Sequence, residues 1–367
     1  MKKMLLFGSW VLLSLLFMPS DSEAALKLMN VDDIKVGYDD GFVLNVQDQF
    51  SIRFKAYLQF QHRYVDVDGP SASNISTFKI AKGRLRWNGF MYNPNIGYVI
   101  QLEVANGSGP KNVALKDFLI DIKHYKHVKV RLGQFKVPFN RQQLAFFGDL
   151  QFVDTAHASQ QFNANLVNAR DIGISFIGEH QEHRIEYFVG IFNGNGLNGD
   201  NDSSKYLSVL RVVFNPFGRM SISESDVEET EEKRLSVGAG IAYDAGDRNA
   251  SAIRGSARTL AFEIAFKHRG KSIQGEYFFR DHDRNIDADG GYIQGGFFLV
   301  PQKIELAGRF SQFSPDGSGN DISEMTGGIN FFFAGHRRKL QFDITSLSFD
   351  AGDRDDFMVR SQYQASF

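Results

Sequence analysis

The sequence contains no cysteine. That excludes a disulfide-stapled scaffold, a thiolate metal site and a cysteine nucleophile. Proline is sparse, with 8 copies in 367 residues, and tryptophan occurs only 2 times. Net charge is -2, with no strong excess of either sign, which excludes a generic nucleic-acid binder. After residue 25 no stretch reaches the roughly 18 consecutive apolar residues of a membrane helix. What the chain does have is phenylalanine, 35 copies, against a mean hydropathy below zero. So many bulky, β-favouring side chains in a chain that is polar on average need an apolar surface beside an aqueous one.

The N-terminus carries Lys2 and Lys3, then a nearly apolar run from Met4 to Met18, then Ser22-Glu23-Ala24. This order predicts a secretory signal peptide over 1–24, cut after Ala24. The run is short for a membrane anchor. No cysteine precedes the cut, so lipoprotein anchoring is excluded. The mature chain, 25–367, is then either soluble after export or a membrane-spanning β-barrel.

Period two decides between them. From residue 50 to 64 the even positions read Phe50, Ile52, Phe54, Ala56, Leu58, Phe60, His62, Tyr64. The odd positions read Ser51, Arg53, Lys55, Tyr57, Gln59, Gln61, Arg63. Alternate strand side chains point to opposite faces, so this strand has one apolar and one charged face. The pattern recurs to the C-terminus, giving about sixteen strands. Its phase is poorer in the second and twelfth of these. Connections alternate in length: tight ones such as Asn93-Pro94-Asn95 and His124–His127, long polar ones such as 136–169 and 193–205. Short turns on one rim and long loops on the other are the habit of outer-membrane barrels. The stretch 215–233 breaks the rule: it falls on the short-turn, periplasmic side, yet it is long and acidic.

The expected fold is all-β: a transmembrane antiparallel barrel of about sixteen strands, wide enough to leave an aqueous channel. A soluble sandwich would show a polar outer face over a buried core. The chain ends at Phe367, after Phe357, Val359 and Tyr363 on the same face. Such an end is similar to the signal read by the barrel-assembly machinery.

Three stretches carry a family resemblance. They are Phe78-Lys79-Ile80-Ala81-Lys82-Gly83-Arg84-Leu85-Arg86, then Leu132-Gly133-Gln134-Phe135-Lys136-Val137-Pro138-Phe139, then Arg170-Asp171-Ile172-Gly173. Their order resembles the phosphate-selective porin O and P family. The resemblance implies a homotrimeric anion channel whose third external loop, here 136–169, folds inward and narrows the pore. Phe139, Phe146, Phe147, Phe152 and Phe162 in that loop favour inward folding over disorder.

The polar faces of the first five strands predict a basic lumen: Arg53, Lys55, Arg63, Lys82, Arg84, Arg86, Lys129 and Arg131, with Lys136 and Arg141 opening the constriction loop. Such residues attract anions, and arginine can grip phosphate bidentately. Asp117 sits where the family commonly keeps an acidic residue. Ala81-Lys82 stands where characterised members carry an arginine pair, so the ladder is incomplete. The function expected is passive diffusion of small anions, phosphate or polyphosphate among them, through a pore in outer-membrane lipid. The alternatives are a non-selective pore, a plugged structural or adhesive barrel, and an outer-membrane hydrolase. No G-x-S-x-G, H-E-x-x-H or P-loop motif occurs, and no cofactor is expected. His180-Gln181-Glu182-His183 reads as a solvated turn. Asp281-x-Asp283-x-Asn285 lacks the glycine a calcium loop needs, since Ile286 stands there.

Overall fold

The computed structural model describes residues 34–69, 73–105, 113–163, 169–246, 255–283, 287–315 and 319–367. The expected signal peptide lies outside them. An N-terminal hairpin comes first, β1 (Ile34–Tyr38) and β2 (Phe42–Val46). Then follow β3 (Phe50–Asp66), β4 (Ile75–Met91), β5 (Asn93–Ala105), β6 (Ala114–Tyr125), β7 (Val128–Lys136) and β8 (Arg170–His180). The chain continues through β9 (Ile185–Phe192), β10 (Leu207–Phe214), β11 (Arg234–Asp244), β12 (Ala257–His268) and β13 (Lys271–His282). It ends with β14 (Ala288–Val300), β15 (Ile304–Pro315), β16 (Ile322–Phe332), β17 (Arg338–Phe349) and β18 (Arg354–Ser366).

Each strand from β3 pairs antiparallel with the next, and β18 pairs back onto β3. The result is a closed barrel of 16 strands, the number the alternation predicts. Closure leaves no edge among the sixteen barrel strands, as a spanning sheet requires. β3 is the longest wall element, with β4. Its Tyr57–Asp66 part pairs with β18, and its Phe50–Phe54 part pairs with β2. The hairpin was not expected, although Asp40-Gly41 between alternating apolar runs is a turn signal.

The two faces separate as period two demands. On β10, Val209 and Arg211 are buried, while Leu210, Val212 and Phe214 are 42–50% exposed. The exposed parity carries large apolar side chains around the barrel: Leu58, Phe60, Phe262, Ile264, Phe310, Ile344. The other parity carries the polar ones. Phase breaks where β-bulges insert a residue. On β4, Gln59 pairs with Lys82 and Phe60 with Ile80, so Ala81 is the extra residue. On β6, Gln101 pairs with Asp117 and Leu102 with Leu115, so Lys116 is extra. β14 shifts register at Phe298/Val300. These bulges account for the poor phase of two predicted strands.

The segment between β7 and β8 is folded rather than loose. It holds two short helices, Arg141–Leu144 and His157–Gln161, and a helical turn at Phe147–Asp149. Val137, Phe139, Phe152 and Phe162 are buried. Phe139 and Phe162 join Phe135, Phe192, Leu207, Phe278 and Phe313 in one apolar cluster. Burying a phenylalanine contributes roughly 1.5–3 kcal/mol, so this cluster holds the segment far more firmly than its polar ties alone.

Candidate pore and constriction

The family-like stretch Leu132–Phe139 is the anchor of that segment. Gly133 takes φ +116 and lies opposite Gly173, with the Phe118 carbonyl oxygen 2.2 Å from where a Cβ would stand. Only glycine fits both the space and the angle. Gln134 donates to the Leu115 carbonyl at 2.9 Å and to Asn198 Oδ1 at 3.0 Å. Phe135 meets Phe192 edge-on at 5.4 Å. Lys136 Nζ donates to the Ala145 carbonyl at 2.5 Å. Arg170 Nε reaches across β7 to Asp117 Oδ1 at 2.8 Å. Asp171, fully buried, accepts the Ile172 amide.

The segment then touches a long series of strands. Gln59 on β3 donates to the Phe147 carbonyl, and Arg84 on β4 lies 4.2 Å from the Phe147 ring centre. The amides of Arg141 and Gln142 donate to Glu276 on β13 at 2.6 and 3.0 Å. Gln151 Nε2 donates to Glu305 on β15 at 2.7 Å. The Ala158 amide donates to Ser311 at 3.0 Å. Lys339 on β17 donates to the Leu150 carbonyl at 2.7 Å. Asp154 pairs with Arg360 on β18 at 2.7 Å. One short segment can meet side chains from so many strands only from the concave side of the sheet. Gly240 on β11 faces it too, and the Phe139 carbonyl lies 2.4 Å from the Cβ position there. The small inward residue leaves room for the loop, not for an open lumen.

The basic residues expected in the lumen divide into three groups. Arg53, Arg84, Lys129 and Arg131 are ion-paired: with Asp39 at 2.7 Å, Glu103 at 2.7 Å, and, for the last two, one shared Asp121 at 3.2 and 2.7 Å. Lys55 pairs with Asp40. Both acids facing Arg53 and Lys55 come from the turn of the N-terminal hairpin. Lys136 and Arg141 are drawn into loop contacts. Arg141 is 3% exposed, with Nη2 on the Ser221 carbonyl at 2.7 Å and Nε on Gln274 at 3.3 Å. Backbone carbonyls claim their protons, so both act as ties of this segment. Arg63, Lys82 and Arg86 remain, partly exposed and without an ion-pair partner among the described residues.

Two cations outside the expected set lie near that last group, Lys79 partly exposed and Lys116 buried. The Ala81 bulge turns Lys79 to the side of Lys82, opposite Gln61. The Lys116 bulge brings that ammonium into the field of Lys82, Arg84, Arg170 and Glu103. Lys79 and Lys82 both lie within electrostatic range of Asp154 on the loop. A bulge signal was present in the sequence only as broken phase. Phe367, the expected assembly signal, exchanges backbone hydrogen bonds with Ala56 at 2.8 and 3.1 Å and is exposed.

Comparison with known proteins agrees with this architecture. No curated protein matches the chain. Among solved structures, the barrel is similar to an anion-selective porin from Comamonas acidovorans, at 12% identity and TM-score 0.63, covering 87% of this chain and 100% of that one. It is similar to the outer-membrane channel DcaP of Acinetobacter baumannii, at 10% identity and TM-score 0.58, covering 87% and 98%. It is also similar to the trimer form of OmpT, an outer-membrane protein of Vibrio cholerae, at 12% identity and TM-score 0.57, covering 86% and 100%. Residues 54–348 match the family described as phosphate-selective porin O and P, a match that takes in fifteen barrel strands wholly or in part and the whole inward segment; the chain therefore belongs to that family.

Proposed function

We propose that the protein is an outer-membrane channel through which small anions diffuse passively. The observation that carries this is the charge balance of the β3–β4 wall. There Arg63, Lys79, Lys82 and Arg86 have no carboxylate at ion-pairing distance among the described residues. Elsewhere on the wall, the carboxylates of Glu263, Glu324 and Asp343 are held by Arg211, Arg309 and Arg360. Uncompensated positive charge on a low-dielectric wall raises the local concentration of anions. Family membership and the barrel support a channel rather than an enzyme. Phosphate as the favoured solute follows from the family name and from the side-by-side placing of Lys79 and Lys82; the missing arginine pair counts against it.

The same reading includes export through the signal peptide at 1–24, assembly guided by Phe367, and a homotrimer in outer-membrane lipid. The trimer form of the Vibrio protein supports the last of these. A plugged barrel is the second reading, favoured by the dense filling of β11–β18. Planar-bilayer recording decides both. In a KCl gradient the reversal potential should report anion preference; cation preference would overturn the proposal. Phosphate should lower chloride current if it binds in the lumen, and an unaltered current would remove phosphate but leave the channel. Absence of any conductance, with no ion uptake by liposomes, would favour the plugged barrel.

A further inference from the structure

We propose that the stretch 215–233 is the second half of the constriction, and that Glu224 is a positioning residue for the inward loop. This rests on the channel reading above. The two segments enter from opposite rims: 136–169 joins the ends of β7 and β8 on the long-loop rim, and 215–233 joins β10 to β11 on the short-turn rim. The other described turns on that rim run from Tyr92 alone to 333–337. This one is much longer, and it does not hang below the barrel as an acidic appendage.

It turns inward instead. The Glu224 amide donates to the Asp149 carbonyl at 3.1 Å, a backbone bond between the two segments. The Glu224 carboxylate is 2% exposed. It accepts the Gln151 amide at 2.7 Å and Gln142 Nε2 at 2.8 Å, both from the loop. It also accepts Gln274 Nε2 at 3.1 Å, from the β13 wall. One carboxylate therefore joins loop, turn and barrel. Arg141 of the loop answers by donating to the Ser221 carbonyl. The turn has its own seat on the wall: Lys267 donates to Ser223 Oγ at 2.7 Å, and Ser225 Oγ to Glu305 at 2.8 Å.

The chemistry explains why an acid is needed. Three N–H donors converge on one side chain, and an ionised carboxylate is acceptor-only with two oxygens to offer. Hydrogen bonds to a charged acceptor are about twice as strong as neutral ones. Loss of Glu224 leaves the Gln151 amide and the Gln142 side chain buried without that acceptor. The stretch 142–151, between the apolar anchors Phe139 and Phe162, is then free to shift in the lumen, and the pore no longer has a single width. Glu224 touches no solute; it acts on permeation through the loop.

The test uses the absence of native cysteine. Asp149→Cys with Glu224→Cys places two thiols on residues joined by a backbone hydrogen bond. Such neighbours fall in the Cα range of disulfides, roughly 4.4–6.8 Å. The full-length protein is refolded and recorded in planar bilayers before and after reduction, so the two states share one sequence and one charge. The oxidised form should conduct as the parent does. Reduction should raise and broaden the single-channel current, and reoxidation should restore it. Glu224→Ala should resemble the reduced form, with the barrel's heat-modifiable gel shift showing that it has folded. Equal currents in both redox states, with Glu224→Ala like the parent, would overturn the inference while leaving the channel intact. A parent protein that conducts nothing would overturn the channel and the inference together.

Discussion

The two halves of the inner wall meet the same interior with different chemistry. On β3, β4 and β7 most inward cations stay partly exposed, Arg84 being the buried exception, and their partners are few and local: a hairpin acid, or an acid on the next strand. On β11–β18 the inward side chains are almost all buried under the loop and the 215–233 turn. Glu276, Glu305 and Lys339 each hold backbone or side-chain groups of the loop. One half keeps partly exposed cations, and the other is a core turned outside in. The difference teaches that closing a sheet this wide leaves a space that side chains alone cannot fill. The chain fills part of it with its own connections and leaves the basic part open.

The comparison can be broken first at its apolar seat. Phe162 stacks on Phe278 at 5.0 Å and meets Phe313 at 5.5 Å. Phe162→Ala should cost about 3–5 kcal/mol, as for a fully buried phenylalanine, seen in the urea midpoint of the vesicle-embedded protein. A loss below 1 kcal/mol would show that the apolar cluster does not hold the loop. Next comes the buried pair Arg211–Glu263, at 2.6 Å. Arg211→Met should cost nearly as much, because an unpaired buried carboxylate costs about 3–5 kcal/mol. Replacing both partners together, with Glu263→Gln, should recover most of that loss by the same unfolding measurement. A double variant as unstable as the single one would contradict the pairing argument.

The open half should respond in selectivity instead of stability. Lys82→Glu reverses a wall charge. A unit charge about 4 Å from an ion is worth about 1 kcal/mol in water, or roughly a fivefold change in partition. The permeability ratio read from reversal potentials should move toward cations by about that factor for each charge removed. Lys79→Gln should move it the same way by less, and no shift would return Lys79 to the outward face. The smallest effect is expected at the hairpin. Asp39→Asn with Asp40→Asn frees Arg53 and Lys55, so anion preference should rise while stability changes by less than about 1 kcal/mol, as for exposed pairs. A gain in cation preference there would refute the neutralising role.

Much of this was readable along the chain. The strands were, because a sheet with water on one face and lipid on the other forces period two for a dozen residues at a time. The short-long alternation followed from turns. The loop aromatics Phe139, Phe152 and Phe162 announced burial. The site was read less well. Lys79 and Lys116 were not among the expected lumen cations, because one inserted residue reverses parity and an insertion looks like noise in a single strand. Arg53 and Lys136 read as free cations because their partners, Asp39 and the Ala145 carbonyl, are neighbours only across the fold. The 215–233 acids read as part of a long, acidic periplasmic turn. Glu224 and Asp226 are in fact buried, Asp226 accepting the Gly270 amide at 2.8 Å.

The sequence by itself determined the closed all-β wall, the sides of most strands and the family, since alternation and turn chemistry are local. Only the tertiary structure decided which cations lack an ion-pair partner among the described residues and which groups the 136–169 and 215–233 segments meet. Those depend on distances between groups that no local pattern brings together: a loop from one rim, a turn from the other, and a carboxylate between them.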